Sequence, residues 1–544
     1  MDVMTLTEYE ALSPFEIKDF LAKEARAKSE KSAISFVNAG RGNPNWIATV
    51  PRDAFFLLGQ FAMTESRRVM DLPPAIGGMP KAKGIAERLR SWVDANGASP
   101  GAQFLKKLLP WAIENFGFVE DEFVHELVDS IIGDNYPVPD RMLIHAERVV
   151  HEYLQWAMCG EPRPEGTFKL YAVEGGTAAM CYIFKSLKTN RLLNPGDRIA
   201  LSVPIFTPYL EMPLLEDYGL KVTEIHALQE DRFQIGDDLE LLLDPEIKAF
   251  FVVNPGNPSA MALSQETIDR IGVILERRPD LILLTDDVYG TFVPGFRSLM
   301  GAFPRNTIGV YSFSKYFGCT GWRLGVIALH EDNVVDRLIA QHSDEVRAQI
   351  HKRYHALTLE PDKLAFIDRI VADSRDVALN HTAGLSLPQQ VMMTLFSAYE
   401  LMDTEKDYQR ACIGIVKKRF EATIEGLGIE VSDNPNYDYY YGLIDFEFWM
   451  RKYLGEDVVN WVKANVHPLD PVFRLAEEHG IVLLNGNGFG APDWSVRVSF
   501  ANLPDHVYDD IGRAVRSISR GYREAYEASL KAPVVEPAPT PPIA

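Results

Sequence analysis

The sequence predicts an α/β fold: a large domain with a mainly parallel seven-stranded sheet flanked by helices, a smaller α+β domain, and helical insertions. Three observations carry this. Between about 140 and 330, seven short apolar runs alternate with helical stretches, the pattern of strands buried on both faces. From about Arg52 to Gly133 several helices follow one another with no clear strand pattern. From about Ser397 the chain returns to mixed α+β character.

Taken in order, residues Ser13 to Ser29 read as an opening helix, with Ser13-Pro14 at its start and Phe15, Ile17, Phe20 and Leu21 inside it. Ile34-Ser-Phe-Val37 reads as a strand that enters the turn-rich loop Asn38-Ala-Gly-Arg-Gly-Asn-Pro-Asn45. Asp140 is expected to begin a helix whose Leu143, Val150, Leu154 and Ala157 share one face. The strands expected next are Lys169–Val173, Arg198–Val203, Val222–His226, Lys248–Val253, Leu281–Thr285, Thr307–Tyr311 and Arg323–Leu329. A helical stretch spans about Glu331–Arg375. Late in the chain come the alternating run Trp494–Phe500 and a helix from Asp505. The expected organisation is a small α+β domain from 13–60 and 397–530, a helical insertion at 61–135, a large α/β domain at 136–396, and a Pro-rich, disordered tail at 531–544. There is no internal repeat.

Size and composition permit an enzyme. The 544 residues can bury a large core, and 47% hydrophobic with 24% charged residues is a globular composition. A net charge of −21 argues against nucleic acid and acidic membrane surfaces as partners. The four cysteines show no CxxC or metal-ligand spacing, so neither a disulfide framework nor a metal site is expected. No h-region opens the chain and no apolar run is long enough to cross a bilayer. The expected compartment is the cytoplasm.

The chemistry gathers at strand ends, where α/β sheets form their ligand crevice. Ser312-Phe-Ser-Lys315 follows one apolar run, and Arg323, in Gly-Trp-Arg-Leu-Gly325, precedes another. Ser312, Ser314 and Arg323 offer donors to a phosphate, and Lys315 stands among them as an amine. A lysine beside a phosphate clamp suits pyridoxal 5'-phosphate, an aldehyde with a phosphate handle. Glu174-Gly-Gly-Thr177 ends one strand and opens a helix, so backbone N–H groups can approach a phosphate there. Leu284-Thr-Asp286-Asp-Val-Tyr289 places two carboxylates near a tyrosine. Asp286 and Asp287 point to opposite faces if the strand continues, and a helix N-cap is the bland role for either. In Trp494–Phe500 the alternation puts Arg497 on the polar face, toward solvent or a polar cleft.

Ser-x-Ser-Lys with an arginine eight residues after the lysine resembles the cofactor-lysine signature of the fold-type I pyridoxal phosphate-dependent aminotransferases. That resemblance implies roles. Lys315 is the catalytic lysine, and Gly175, Gly176, Thr177, Ser312, Ser314 and Arg323 hold the phosphate. Phe206 stacks on the pyridine ring, with a core aromatic as the alternative. Asn254, in Asn254-Pro-Gly-Asn-Pro258, and Tyr289 bond the phenolic oxygen, and Asp286 pairs with the pyridine nitrogen. Arg497 and Gly40 hold the substrate's α-carboxylate. Arg41 is either a solvated arginine or a residue at the site's mouth. Tyr136 matches the tyrosine that a neighbouring subunit lends to the phosphate, and His381–Gln389 matches a loop crossing the dimer interface.

Within the family, the extra helical length and the wording of the motifs resemble the aspartate 4-decarboxylases, or L-aspartate β-decarboxylases. That implies conversion of L-aspartate to L-alanine and CO2 through a ketimine, side aspartate transaminase activity, and a homodimer at least, assembled into a dodecamer. A plain aspartate or aromatic aminotransferase shares every catalytic residue, with the extra length and motif wording as the only discriminators. An inactive scaffold retaining the fold is the non-enzyme alternative. A transcription regulator on this fold requires a basic N-terminal winged helix, and residues 1–60 are neither basic nor long enough.

Overall fold

A computed structural model describes residues 6–7, 9–10, 12–29, 36–136, 138, 140–375 and 384–531. Of the expected tail only Lys531 is described, as the last residue of a helix, and the His381–Ala383 part of the expected interface loop lies outside these residues. The chain forms two compact units: Met1–Arg41, Lys417–Ser432 and Gly442–Ala544 make one, Gly42–Val416 and Asp433–Tyr441 the other.

The larger unit is organised by a seven-stranded sheet. Its strands are β1 (Phe168–Val173), β2 (Arg198–Val203), β3 (Lys221–His226), β4 (Ile247–Val253), β5 (Ile282–Asp286), β6 (Thr307–Ser312) and β7 (Gly325–His330). The spatial order is β1-β7-β6-β5-β4-β2-β3. All neighbours run parallel except β7, which is antiparallel to both β1 and β6. Each expected strand is present within two residues of its expected ends. The largest offset is at β7, expected from Arg323. Arg323 instead adopts φ +55°, a left-handed conformation that no strand continues.

The sheet is apolar on both faces, which is why its strands read as continuous runs. On one face Phe251, Leu284, Val310 and Ile327 share a core with Ile183 and Leu187 of the helix Gly176–Thr189. On the other, Phe250, Val252 and Leu283 share a core with Ile271 and Ile274 of the helix Gln265–Arg277. Fully burying one such side chain stabilises the fold by roughly 1.5–3 kcal/mol. Because β6 and β7 are antiparallel neighbours, a direct turn joins them. Lys315 sits in that turn, just past the end of β6.

The helical block consists of α1 (Thr49–Val69), α2 (Ile85–Asn96), α3 (Pro100–Phe116) and α4 (Glu120–Ile132). One small hairpin, Asp71–Leu72 with Ile76–Gly77, interrupts it. Gly101 lets α3 approach α1, since a Cβ there would fall 2.4 Å from the Ala54 nitrogen. Buried Glu65 binds Arg68 and Arg88 and ties α1 to α2.

The helix expected from Asp140 begins at Ile144 instead. Its start is capped from a distance: the Glu126 carboxylate accepts from the His145 and Ala146 nitrogens at 3.1 Å each. Asp140 pairs with Arg375.

In the smaller unit, Val37–Asn38 pairs in parallel with Ile481–Val482. Of the strand expected from Ile34, residues 34 and 35 lie outside those described. A three-stranded sheet has the order Tyr441–Asp445, Ser495–Ser499, Leu484–Asn485. The opening helix Pro14–Ser29 and the long helix Tyr508–Lys531 both carry buried apolar residues. No helix among the described residues is long and apolar enough to cross a membrane.

Candidate active site

The carboxyl ends of β1, β4, β5 and β6 bring most of the expected residues together. At the end of β1, Gly175 has φ +95°, a conformation that favours glycine. A Cβ there would also strike the Arg323 guanidinium, 2.4 Å from Nη2. Gly325 meets the same constraint from the opposite side, because its Cβ would lie 2.6 Å from the Gly175 Cα. The two glycines thus let the β1 turn and the lysine turn touch. Arg323 donates to the Thr320 and Glu174 carbonyls at 3.0 and 3.1 Å, yet the residue remains exposed. Thr177, also exposed, stands in the first turn of the helix Gly176–Thr189. Ser312 Oγ lies 3.0 Å from Ser314 Oγ, and both serines are buried. Glycine N–H groups at a helix N-terminus, two hydroxyls and a guanidinium form a donor set suited to a phosphate.

Lys315 Nζ donates to the Gly42 carbonyl at 3.0 Å. Asp286 is buried at the end of β5, where its Oδ2 accepts from Tyr209 Oη at 2.7 Å. Burial pushes its carboxyl up to about 6, against the downward pull of the Tyr209 and Val288 hydrogen bonds and the Lys315 charge. Asp287 points elsewhere, accepting from Thr285 Oγ1 at 2.7 Å and from Ser298 Oγ. Burial pushes it further, up to about 8. Of the two aspartates, only Asp286 shares its surroundings with Tyr209 and Lys315.

Asn254 is buried after β4. Its Oδ1 accepts from the Leu263 nitrogen at 2.9 Å, while its Nδ2 has no hydrogen-bond partner. Buried amide donors are rarely left so. Tyr289 is buried, with its hydroxyl 3.2 Å from that of Tyr441. Phe206 is half-buried at the start of the helix Thr207–Glu211, edge-on to Tyr209 with centroids 5.3 Å apart.

In the smaller unit Arg497 is buried, 2% exposed, so the solvent alternative falls away. Its Nη2 donates to the Gly40 carbonyl at 2.9 Å, and its guanidinium lies over the Phe489 ring. Gly40 and Arg497 are therefore brought together, whereas Arg41 is exposed. Tyr136, in the larger unit, is 77% exposed and lines a surface cavity with Glu122 and His125. Gln389, at the end of the expected interface loop, lies instead in the helix Leu387–Met402 and donates to the Trp322 carbonyl.

Sequence reasoning missed Tyr209, Gly42, Tyr440 and Tyr441. Tyr209 was detectable, lying three residues past Phe206 and so one helical turn away. The tyrosine run Tyr437-Asp-Tyr-Tyr-Tyr441 was visible but carried no spacing signal.

The orphaned Asn254 donor, the donor set around Gly175 and Arg323, and the Lys315 amine fit pyridoxal phosphate. Among the described residues no group of three or more His, Cys, Asp or Glu could hold a metal ion.

Comparison with known proteins agrees. Residues 172–515 match the family model "Aminotransferase class I and II". A Pseudomonas sp protein, "Bifunctional aspartate aminotransferase and L-aspartate beta-decarboxylase", is 46% identical over 95% of this chain and 97% of its own length. An aspartate aminotransferase of Sulfolobus acidocaldarius is 24% identical over 60% of the chain and 70% of its own length. Among solved structures, a double mutant of Thermus thermophilus aspartate aminotransferase superimposes with a TM-score of 0.57 at 17% identity. That match covers 94% of this chain and 97% of the other, and shows the same fold.

Proposed function

The chain belongs to the class I and II aminotransferases, and we propose that within that family it removes the β-carboxylate of L-aspartate, forming L-alanine and CO2. Transfer of the amino group from aspartate to a keto acid is its side activity. The observation that carries this is likeness along nearly the whole chain, helical block included, to a bifunctional aspartate aminotransferase and β-decarboxylase. Feeding aspartate with no keto acid tests it. Sustained CO2 and alanine release supports the decarboxylase, whereas one stalled turnover leaves a plain aminotransferase.

The cofactor is pyridoxal 5'-phosphate. When bound, it supplies an aldehyde that condenses with amines and a conjugated ring that takes up electrons. Gly175, Gly176, Thr177, Ser312, Ser314 and Arg323 would hold its phosphate. Asn254 Nδ2 and Tyr289 Oη would meet its phenolic oxygen, with Phe206 against the ring. Asp286, anionic above about pH 6, would pair with a cationic ring nitrogen, and Tyr209 holds that carboxylate in place.

Lys315 Nζ would hold the aldehyde between turnovers. Released by the substrate's amine, Lys315 Nζ would take the Cα proton and later give it back. After that transfer CO2 would leave without the electron pair of the broken bond, which stays on the Cβ side until a proton is delivered to Cβ to give alanine. Decarboxylation and transamination share Lys315's work and part afterwards. An aminotransferase gains by clamping the distal carboxylate with a cation, whereas a decarboxylase gains by holding it weakly.

Arg497 supplies the fork for the α-carboxylate, with Gly40 beside it. Exposed Arg41 orients the distal carboxylate or gates the site. Arg41→Ala should change the ratio of CO2 to keto acid formed from aspartate, and an unaltered rate and ratio exclude that role. The assembly we propose is a homodimer at least, with Tyr136 reaching the partner subunit's phosphate, and a dodecamer beyond that. The four cysteines, all free, support a cytoplasmic location.

A further inference from the structure

Gly42 is a meeting point that the roles above leave unused. Its carbonyl oxygen accepts from Lys315 Nζ at 3.0 Å and from Tyr440 Oη at 2.9 Å. A carbonyl has two lone pairs, so the two bonds coexist. The Cα side is equally confined: a Cβ at residue 42 would fall 2.3 Å from Tyr441 Oη and 3.4 Å from Lys315 Nζ. Tyr440 itself is fully buried. Its ring packs on Phe292 and Tyr289 with centroids 5.0 Å away, and on Trp46 at 6.3 Å. Its backbone nitrogen donates to buried Asp438 at 2.7 Å. The hydroxyl is therefore presented from a rigid aromatic mount, whereas the lysine amine rides on a flexible four-carbon stem.

We propose that Tyr440 is a positioning residue. Through the Gly42 carbonyl it fixes the acceptor on which the free Lys315 amine rests, and so sets where that amine stands when it takes and returns a proton. The proposal rests on the reading of Lys315 as the cofactor-bearing lysine. In this role Tyr440 acts through the Gly42 carbonyl. Without its hydroxyl, the carbonyl keeps one donor and loses the bond that holds its orientation.

The test uses the full-length enzyme with Tyr440→Phe, its fold verified by melting and by cofactor absorbance. In the cofactor-free enzyme, trinitrobenzenesulfonate should modify Lys315 roughly fivefold faster than in the wild type, the size of effect expected for one neutral hydrogen bond. The modified peptide is quantified by mass spectrometry. In the holoenzyme, kcat for CO2 release and for transamination should fall together by roughly five- to tenfold, with KM for aspartate within about twofold. Gly42→Ala displaces the same carbonyl by another route and should also speed the labelling. Tyr439→Phe, whose hydroxyl meets Asp433, should change neither readout. A folded Tyr440→Phe enzyme with wild-type labelling overturns the proposal while leaving the function intact. If borohydride instead fixes the cofactor on a different lysine, the underlying reading falls and the proposal with it.

Discussion

Asp286 and Asp287 are adjacent, both buried, and differently surrounded. Asp286 shares its side of β5 with Tyr209, the Lys315 charge and Gly176, which opens the helix Gly176–Thr189. On that side polar groups remain incompletely matched, as the orphaned Asn254 donor shows. Asp287 is bound by two hydroxyls, Thr285 and Ser298, and Ser298 in turn caps a short helix. Glu400 is buried too and accepts from the hydroxyl of Tyr316, but its second carboxylate oxygen has no hydrogen-bond partner, so it resembles Asp287 in burial and not in closure. The first region leaves a buried donor unmatched, whereas the second pairs its polar groups with one another. Closed polar networks support a fold, and open ones await a ligand.

The largest effect expected on the open side belongs to Lys315. Lys315→Ala removes both the amine that anchors the aldehyde and the group that moves the proton. CO2 release from aspartate should fall by ~10⁴-fold or more, while the melting temperature stays near wild type. A folded variant retaining a tenth of the activity would contradict the assignment of the open side.

Truncating the adjacent carboxylates tests the contrast directly. Asp286→Ala should lower kcat by ~10²-fold with little loss of stability, because it deletes a buried charge aimed at the cofactor. Asp287→Ala should do the reverse, costing about 1–3 kcal/mol of stability by stranding two buried hydroxyls while kcat stays within about threefold. Paired melting curves and aspartate kinetics measure both. Equal kinetic damage from the two substitutions would erase the distinction.

How far this contrast was legible in the sequence follows from its geometry. The strands were readable because β4, β5 and β6 are buried on both faces and left apolar runs. Asp286 was separable from Asp287 by alternation and by the spacing to Tyr289. Contacts closed by distant residues were not readable. Tyr440 meets Gly42 from 398 positions away, and Arg497 meets Gly40 from 457. Alternation placed Arg497 on the polar side of its strand, but could not say whether solvent or a carbonyl lay opposite. The cap on the helix at Ile144 comes from Glu126, on another helix, so its start was expected too early at Asp140.

The smallest effect is a pH dependence of stability that reaches about pH 8 on the closed side, whereas that of Asp286 on the open side ends near pH 6. An exposed Asp titrates near 3.8, whereas Asp287 is pushed up to about 8 by burial. Below about pH 4 both folded and unfolded chains hold that proton. Between about 4 and 8 the unfolded chain releases it and the folded chain keeps it, so the unfolded state binds fewer protons and stability falls as pH rises. Glu400, pushed from 4.5 up to about 8, adds to the same window. Asparagine imitates the neutral acid and does not ionise. Asp287→Asn should therefore melt close to wild type at pH 5 and above it at pH 8, with Glu400→Gln behaving alike. Melting differences that stay flat between those pH values would mean that the closed side carries its carboxylates ionised, and that the two regions differ in contents but not in electrostatics.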